Sequence, residues 1–245
     1  HHPGSEHTMT STHMRPARIG LRFFVLVIGI LALGFLAMVS WYWWQIKQGA
    51  PVTLASTGQF TSSGKSAAAL ATQDLQKLTS GFHPSLGNAA APITIVEFID
   101  FNCPNSRVAA PIMEQVMARY GSKVRLIIRD FPFEPGSDYL SFIGQCALLQ
   151  NRFWPVNDYL YDHQDEFDDP LGDDQLEAIA GATELDLTRL KTCLADPNTE
   201  KAVNEDYFAG VGAGVRGTPT FFVNGRKVEG TVSFESWSKY IESFK

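Results

Sequence analysis

The sequence predicts an α/β domain that carries a helical insertion and follows a single transmembrane helix. Three observations predict it. An uncharged apolar run extends from Phe23 to Trp44; two β-branched runs, Ile93–Ile99 and Val124–Ile128, precede a long stretch without strand patterning; and two further β runs flank Asn224-Gly225 near the C-terminus. Composition agrees with a folded chain: the 245 residues are 44% hydrophobic and 19% charged, ordinary globular usage that excludes a wholly disordered chain and a polytopic membrane protein. Three cysteines are too few for a disulfide-dense miniprotein. The formal charge of −6 comes without a run of Lys or Arg, which argues against a nucleic-acid partner, because phosphate binding calls for a basic stripe.

HHPGSEHT (1–8) precedes Met9 and reads as a tag remnant or out-of-frame sequence; residues 1–22 are assigned to an N-terminal cytoplasmic segment outside the fold. Residues 23–44 would form a helix roughly 33 Å long at about 1.5 Å per residue, enough for a hydrocarbon core of about 30 Å. A cleaved signal peptide is the competing reading. Its apolar region is shorter, about 7–15 residues, and ends at small residues, whereas this run ends in Trp41, Tyr42, Trp43 and Trp44, which suits an interfacial belt. Arg15, Arg18 and Arg22 lie before the run and the nearest cation after it is Lys47. The positive-inside rule therefore leaves the N-terminus in the cytoplasm and the rest in a periplasm or other extracytoplasmic space. Residues 45–82, rich in Ser, Thr, Gln, Ala and Gly, read as a flexible tether in which Ser66–Leu78 is patterned for a short helix. Gly64-Lys65-Ser66 fails as a phosphate loop, which needs Gly where Gln59 stands.

The folded domain is expected over 83–245. Ile93–Ile99 reads as a buried strand that runs into Asp100-Phe101-Asn102-Cys103-Pro104-Asn105-Ser106 and then into a helix with Val108, Ile112 and Val116 on one side. Cys103 thus sits where a strand hands over to a helix N-terminus, whose free N–H groups and dipole favour a thiolate, the nucleophile of disulfide exchange. Pro104 suits the first turn, where a missing N–H costs nothing. The alternative is an inert buried thiol. After Val124–Ile128 a helical region occupies about 137–212, with Asp173 and Asp186 as N-caps. Thr220–Val223, Asn224-Gly225 and Arg226–Glu229 form a hairpin signal, and Phe234–Phe244 closes with an amphipathic helix.

Asp-Phe-Asn-Cys-Pro (100–104), Gln150-Asn151-Arg152-Phe153-Trp154 and Gly217-Thr218-Pro219-Thr220-Phe221-Phe222-Val223-Asn224-Gly225, in this order, resemble the DsbA family of thiol-disulfide oxidoreductases. The resemblance spans roughly 82–245 and implies a thioredoxin fold with a helical insertion. It implies Cys103 as attacking thiol, a cis-Pro219 that sets the Thr218 backbone against a substrate chain, and Pro104 and Asn105 beside the bound peptide. It makes Glu97 the buried acid beneath the thiol, where burial raises a carboxyl pKa and suits proton transfer; a paired structural Glu is the alternative. Pro111 corresponds to a helix kink. Cys146 and Cys193 match a structural disulfide of some members, against the alternative of two free core thiols.

The family pattern is Cys-x-x-Cys, and here Ser106 occupies the resolving position. Without a second thiol the chain cannot store an active-site disulfide; the Ser106 hydroxyl is left to donate a hydrogen bond to the Cys103 thiolate. The chain reads either as a natural monothiol protein or as a resolving-Cys substitution that traps partners. The expected partners are exported cysteine-containing proteins and a membrane or small-thiol redox partner, with no cofactor. A redox-inactive binding protein and a glutathione-dependent monothiol reductase are the competing functions. His83 and His163 lack zinc-ligand spacing and the acidic residues between Asp162 and Asp174 match no calcium loop, so no metal is expected.

Overall fold

The computed structural model describes residues 27–32, 34–38, 70, 72–167 and 171–244. The chain divides into two compact units, His1–Ala55 and Ser56–Lys245. In the first, the described residues are helical. The remainder of the expected membrane span 23–44 lies outside the described residues, as do 1–22 and 45–69. Among the described residues no helix is long and apolar enough to cross a membrane.

The second unit runs α1 (Thr72–Thr79), β1 (Ser85–Gly87), β2 (Ile93–Ile99), α2 (Pro104–Tyr120), β3 (Val124–Asp130), α3 (Ser137–Leu148), α4 (Phe153–Asp162), a 3₁₀ turn (Gln164–Glu166), α5 (Asp173–Thr183), α6 (Leu187–Leu194), α7 (Pro197–Gly212), β4 (Thr220–Val223), β5 (Arg226–Glu229) and α8 (Phe234–Glu242). The sheet order is β1-β3-β2-β4-β5, with β2 and β3 parallel and every other pair antiparallel. The one parallel pair is joined through α2, the crossover a parallel connection requires. Asn224 and Gly225 both have positive φ, 47° and 84°, which is what a two-residue hairpin turn between twisted strands demands.

Alternation along β2 sorts its side chains to two faces. Ile93, Ile95 and Ile99 enter the larger core with Met113 and Val116 of α2, Ile143 of α3, Leu160 of α4 and Trp237 of α8. Val96 and Phe98 enter the smaller core with Leu78 of α1, Ile127, Phe131, Val215 and Phe222. Gly210 lets α7 close on this second face, since a Cβ there would lie 2.7 Å from the Phe131 ring.

Two expectations change in detail. The helix expected at 66–78 is described at Thr72–Thr79, and it is docked rather than loose: Leu78 is buried, and Arg129 Nη1 donates to the Lys77 and Leu78 carbonyls at 3.2 and 3.1 Å. The end of the expected tether therefore packs as part of the domain. Asp186 caps α6 by accepting from the Arg189 N–H, but Asp173 is the first helical residue of α5 and Gly172 holds the cap position.

Candidate functional site

Cys103 is the N-cap of α2, with extended backbone (φ −79°, ψ 119°) and Pro104 next to it. Its position is fixed by a short turn in which the Cys103 N–H donates to the Asp100 carbonyl at 3.1 Å and the Arg107 N–H donates to the Cys103 carbonyl at 3.1 Å. The turn is locked by Asp100, a buried residue the sequence patterns did not single out. Its carboxylate accepts from the N–H groups of Asn102, Phe133 and Glu134 at 2.8, 2.7 and 2.7 Å and from the Ser137 hydroxyl at 3.1 Å. One side chain thereby ties the loop after β2 to the loop after β3.

The Cys103 residue is only 6% exposed, and its Sγ donates to the Thr218 carbonyl at 3.2 Å. The Thr218–Pro219 bond is cis. Thr218, whose carbonyl meets the sulfur, also lines an open groove with Arg216, Gly217, Pro219, Thr220, Glu229 and Gly230. Pro104 and Asn105 are exposed, and the Asn105 carbonyl accepts from the Thr231 hydroxyl at 3.2 Å. The residues expected to meet substrate are thus gathered around one sulfur from two distant parts of the chain, 103–105 and 218–219.

Ser106 is 1% exposed, and its hydroxyl forms no hydrogen bond with Cys103. The expected Ser106-to-thiolate bond is therefore not the arrangement in this structure; the thiol is partnered by Thr218 instead. Ser106 turns towards Tyr161, whose phenol pKa is driven up by burial and by the charges of Glu97 and Asp100. The two hydroxyls interact, but neither completes a hydrogen bond of ordinary geometry.

Glu97 is 3% exposed in the central strand, between Ile128 of β3 and Phe221 of β4. Burial alone lifts its pKa to about 8, so it holds a proton at neutrality. It lines a cavity of about 30 Å³ with Tyr161, Asn157, Trp154 and Glu114, room for a water or two and too small for a ligand. Phe153 is core, as its apolar surroundings demand, and Trp154 is partly buried against it.

Cys146 of α3 and Cys193 of α6 are joined by a disulfide, which leaves Cys103 as the free thiol. Among the described residues no group of His, Cys, Asp and Glu is arranged to hold a metal ion.

The sequence model of the family described as Thioredoxin matches residues 79–243. Among curated relatives, the Na(+)/H(+) antiporter NhaA 3 of Salinispora tropica is 35% identical over 160 residues, covering 64% of this chain and 24% of that protein. The chain spans about a quarter of the length of the curated relatives it matches. Among solved structures, a thioredoxin-like oxidoreductase from Silicibacter pomeroyi DSS-3 superimposes with a TM-score of 0.59 at 24% identity, covering 69% of this chain and 95% of that one. The thiol-disulfide exchange protein alpha-DsbA2 from Wolbachia pipientis does so with a TM-score of 0.63 at 17% identity, covering 71% and 92%. The shared architecture is the DsbA-like one, a thioredoxin sheet with helices inserted between β3 and β4.

Proposed function

This chain belongs to the thioredoxin family, and from that premise we propose that it is a thiol-disulfide exchange protein acting through Cys103 on cysteines of exported proteins. The observation that carries the reading is the free Cys103 thiol at the N-terminus of α2, held against the carbonyl that precedes a cis-proline. A partner chain docks beside Thr218 and Pro219 through backbone hydrogen bonds, a mode that tolerates many sequences. Its disulfide then lies against the sulfur.

The chemistry follows from the groups present. As a thiol, Cys103 gives its hydrogen to the Thr218 carbonyl; as a thiolate it loses that bond and faces the unpaired N–H groups of the first helical turn. The thiolate attacks one sulfur of the partner disulfide, a new Cys103–S bond forms, the old S–S bond breaks, and the departing partner thiolate takes up a proton. Glu97, protonated at neutrality and buried beside Tyr161, is the internal acid for that transfer. Ser106 cannot attack the mixed disulfide. Release requires a second thiol from outside the chain, a small-molecule thiol or a partner protein, so the mixed disulfide persists until one arrives.

The domain is tethered to a membrane by 23–44 and faces the extracytoplasmic side. This is supported by the uncharged run with its Trp-rich end, the Arg residues before it, and the helical, exposed Ile30, Leu31 and Phe35.

One experiment tests chemistry and location together. Intact cells expressing the full chain receive a membrane-impermeant biotinylated peptide disulfide, with and without prior impermeant alkylation. The reading predicts covalent capture on the chain that alkylation abolishes. Capture only after lysis contradicts the location, and no capture of either kind contradicts thiol exchange in favour of a binding protein.

A further inference from the structure

The helical insertion reaches into the active-site turn through one side chain. Gln164, in the 3₁₀ turn after α4, donates from Nε2 to the Phe101 carbonyl at 2.6 Å and to the Cys103 carbonyl at 3.1 Å. Both acceptors belong to the turn that makes Cys103 the cap of α2. The 3₁₀ turn is itself braced, since the Gln175 side chain donates to the Glu166 carbonyl at 2.9 Å and the Glu166 N–H donates to the His163 carbonyl at 2.9 Å. Asp165 adds an ion pair with Arg107 at 2.6 Å, but that pair is exposed and is worth at most about 1 kcal/mol. Gln164 carries the grip.

The consequence is geometric. Thiolate stabilisation by a helix N-terminus falls off within the first turn, so it depends on the sulfur staying over the first N–H groups. The two carbonyls flanking that sulfur end in lone pairs that repel an anion, and an amide donating to both fixes their direction. An oxygen or a methyl in place of Nε2 would take this donor from the Phe101 carbonyl and leave the Cys103 carbonyl to the Arg107 N–H alone.

We propose that Gln164 is a positioning residue for Cys103: by holding the Phe101 and Cys103 carbonyls it fixes the turn that makes Cys103 the N-cap of α2 and sets its Sγ at the Thr218 carbonyl, so the helical insertion sets thiol reactivity. This rests on the exchange reading above.

The test compares Gln164→Leu, Gln164→Glu and Gln164→Lys in the full chain, reading the second-order rate of Cys103 alkylation by iodoacetamide from pH 5 to 9 beside a thermal melt. Leu removes the donors without adding charge. It is expected to slow alkylation at pH 7 by about tenfold, the scale on which sub-ångström misplacement acts. Glu, which cannot donate, is slower still, whereas Lys, which can donate to the same carbonyls, returns the rate to within about threefold of the unsubstituted chain.

A Leu rate within twofold of the unsubstituted chain overturns the proposal, and so does a Lys rate no faster than Leu. If Leu fails to fold, Gln164→Asn decides without a change of charge, since its amide is one methylene shorter: alkylation at least fivefold slower supports the proposal and a rate within twofold overturns it. A Cys103 that does not react even in the unsubstituted chain contradicts the exchange reading itself, and this inference falls with it. A reactive Cys103 indifferent to position 164 overturns the inference alone.

Discussion

Glu97 shows how a single residue records the conflict between burial and charge. Its neighbours in β2 and the adjacent strands are apolar, and its pKa rises to about 8 with burial as the cause. The sign of the linkage follows: the folded state keeps the proton through a range where the unfolded chain has lost it. The residue's contribution to stability is therefore complete below about pH 4.5 and disappears as pH rises through 8. Glu97→Gln is expected to leave stability at pH 5 nearly unchanged and to raise it at pH 9 by about 2–4 kcal/mol, read as urea midpoints at the two pH values; equal midpoint shifts at both would contradict a raised acid. Cys103 was legible because it stands where a strand signal hands over to a helix signal; Glu97 was singled out only through the family resemblance, by its distance from Cys103, and what the structure adds is its burial. Gln164 and Asp100 were not legible. Their partners lie 61 to 63 and 33 to 37 positions away apart from the local Asn102 bond, and Asp162-His163-Gln164-Asp165 has the composition of an ordinary solvated turn.

Among the elements, α1 is the one whose status the sequence understates. TQDLQKLT has a single large apolar side chain that ends up fully enclosed, Leu78, and its neighbourhood looks like linker. What holds it is a buried charged cluster at the far face of the sheet. Arg129 binds the α1 carbonyls through Nη1, and its Nε forms an ion pair with Asp206 of α7 at 2.7 Å whose angle falls outside hydrogen-bond geometry. Asp206 also accepts from the Asp130 N–H at 3.1 Å, and His83, 3.7 Å from Asp206, is held neutral at about pKa 4 by burial and by Arg129. Burial pushes both Asp130 and Asp206 up, and Asp206 adds to the effect on Asp130. Removing the cation strands these carboxyls and frees α1. Arg129→Ala is expected to cost about 3–5 kcal/mol, the usual result of breaking one side of a buried pair, and to expose the chain near Lys77 to trypsin. Unchanged cleavage there would show that Leu78 alone retains the helix. The β-branched runs of β2 and β3 and the Asn-Gly hairpin were readable because periodicity and turn chemistry are local; β1, Ser-Leu-Gly, was not, because three residues paired with Ile127, Leu126 and Arg125 carry no periodic signal of their own.

At the scale of the whole molecule, the helical insertion is bound to itself and to the active site by different means. The Cys146–Cys193 disulfide ties α3 to α6 across 47 positions, a closure worth about 3–4 kcal/mol if it acts by restricting the unfolded chain. Gln164 and Asp100 then couple the insertion and the β3 loop to the turn that presents Cys103. The outcome is a thioredoxin sheet whose Cys103 turn is built from both halves of the sequence, with Cys103 as the free thiol. Ser106 is buried with its hydroxyl lacking a proper hydrogen bond, a setting a thiol tolerates better than an alcohol. On the proposed function, Cys103 attacks disulfides and, with Ser106 unable to resolve it, stays joined to its partner. Intact-mass and peptide mapping of the full chain under non-reducing conditions after exposure to oxidised glutathione, with Ser106→Cys alongside, decides this. One glutathione per chain is expected, linked to Cys103 and removed by dithiothreitol. In Ser106→Cys an internal disulfide between Cys103 and the introduced thiol is expected, with no glutathione retained. An unmodified Cys103, or glutathione retained equally by both proteins, would contradict this reading.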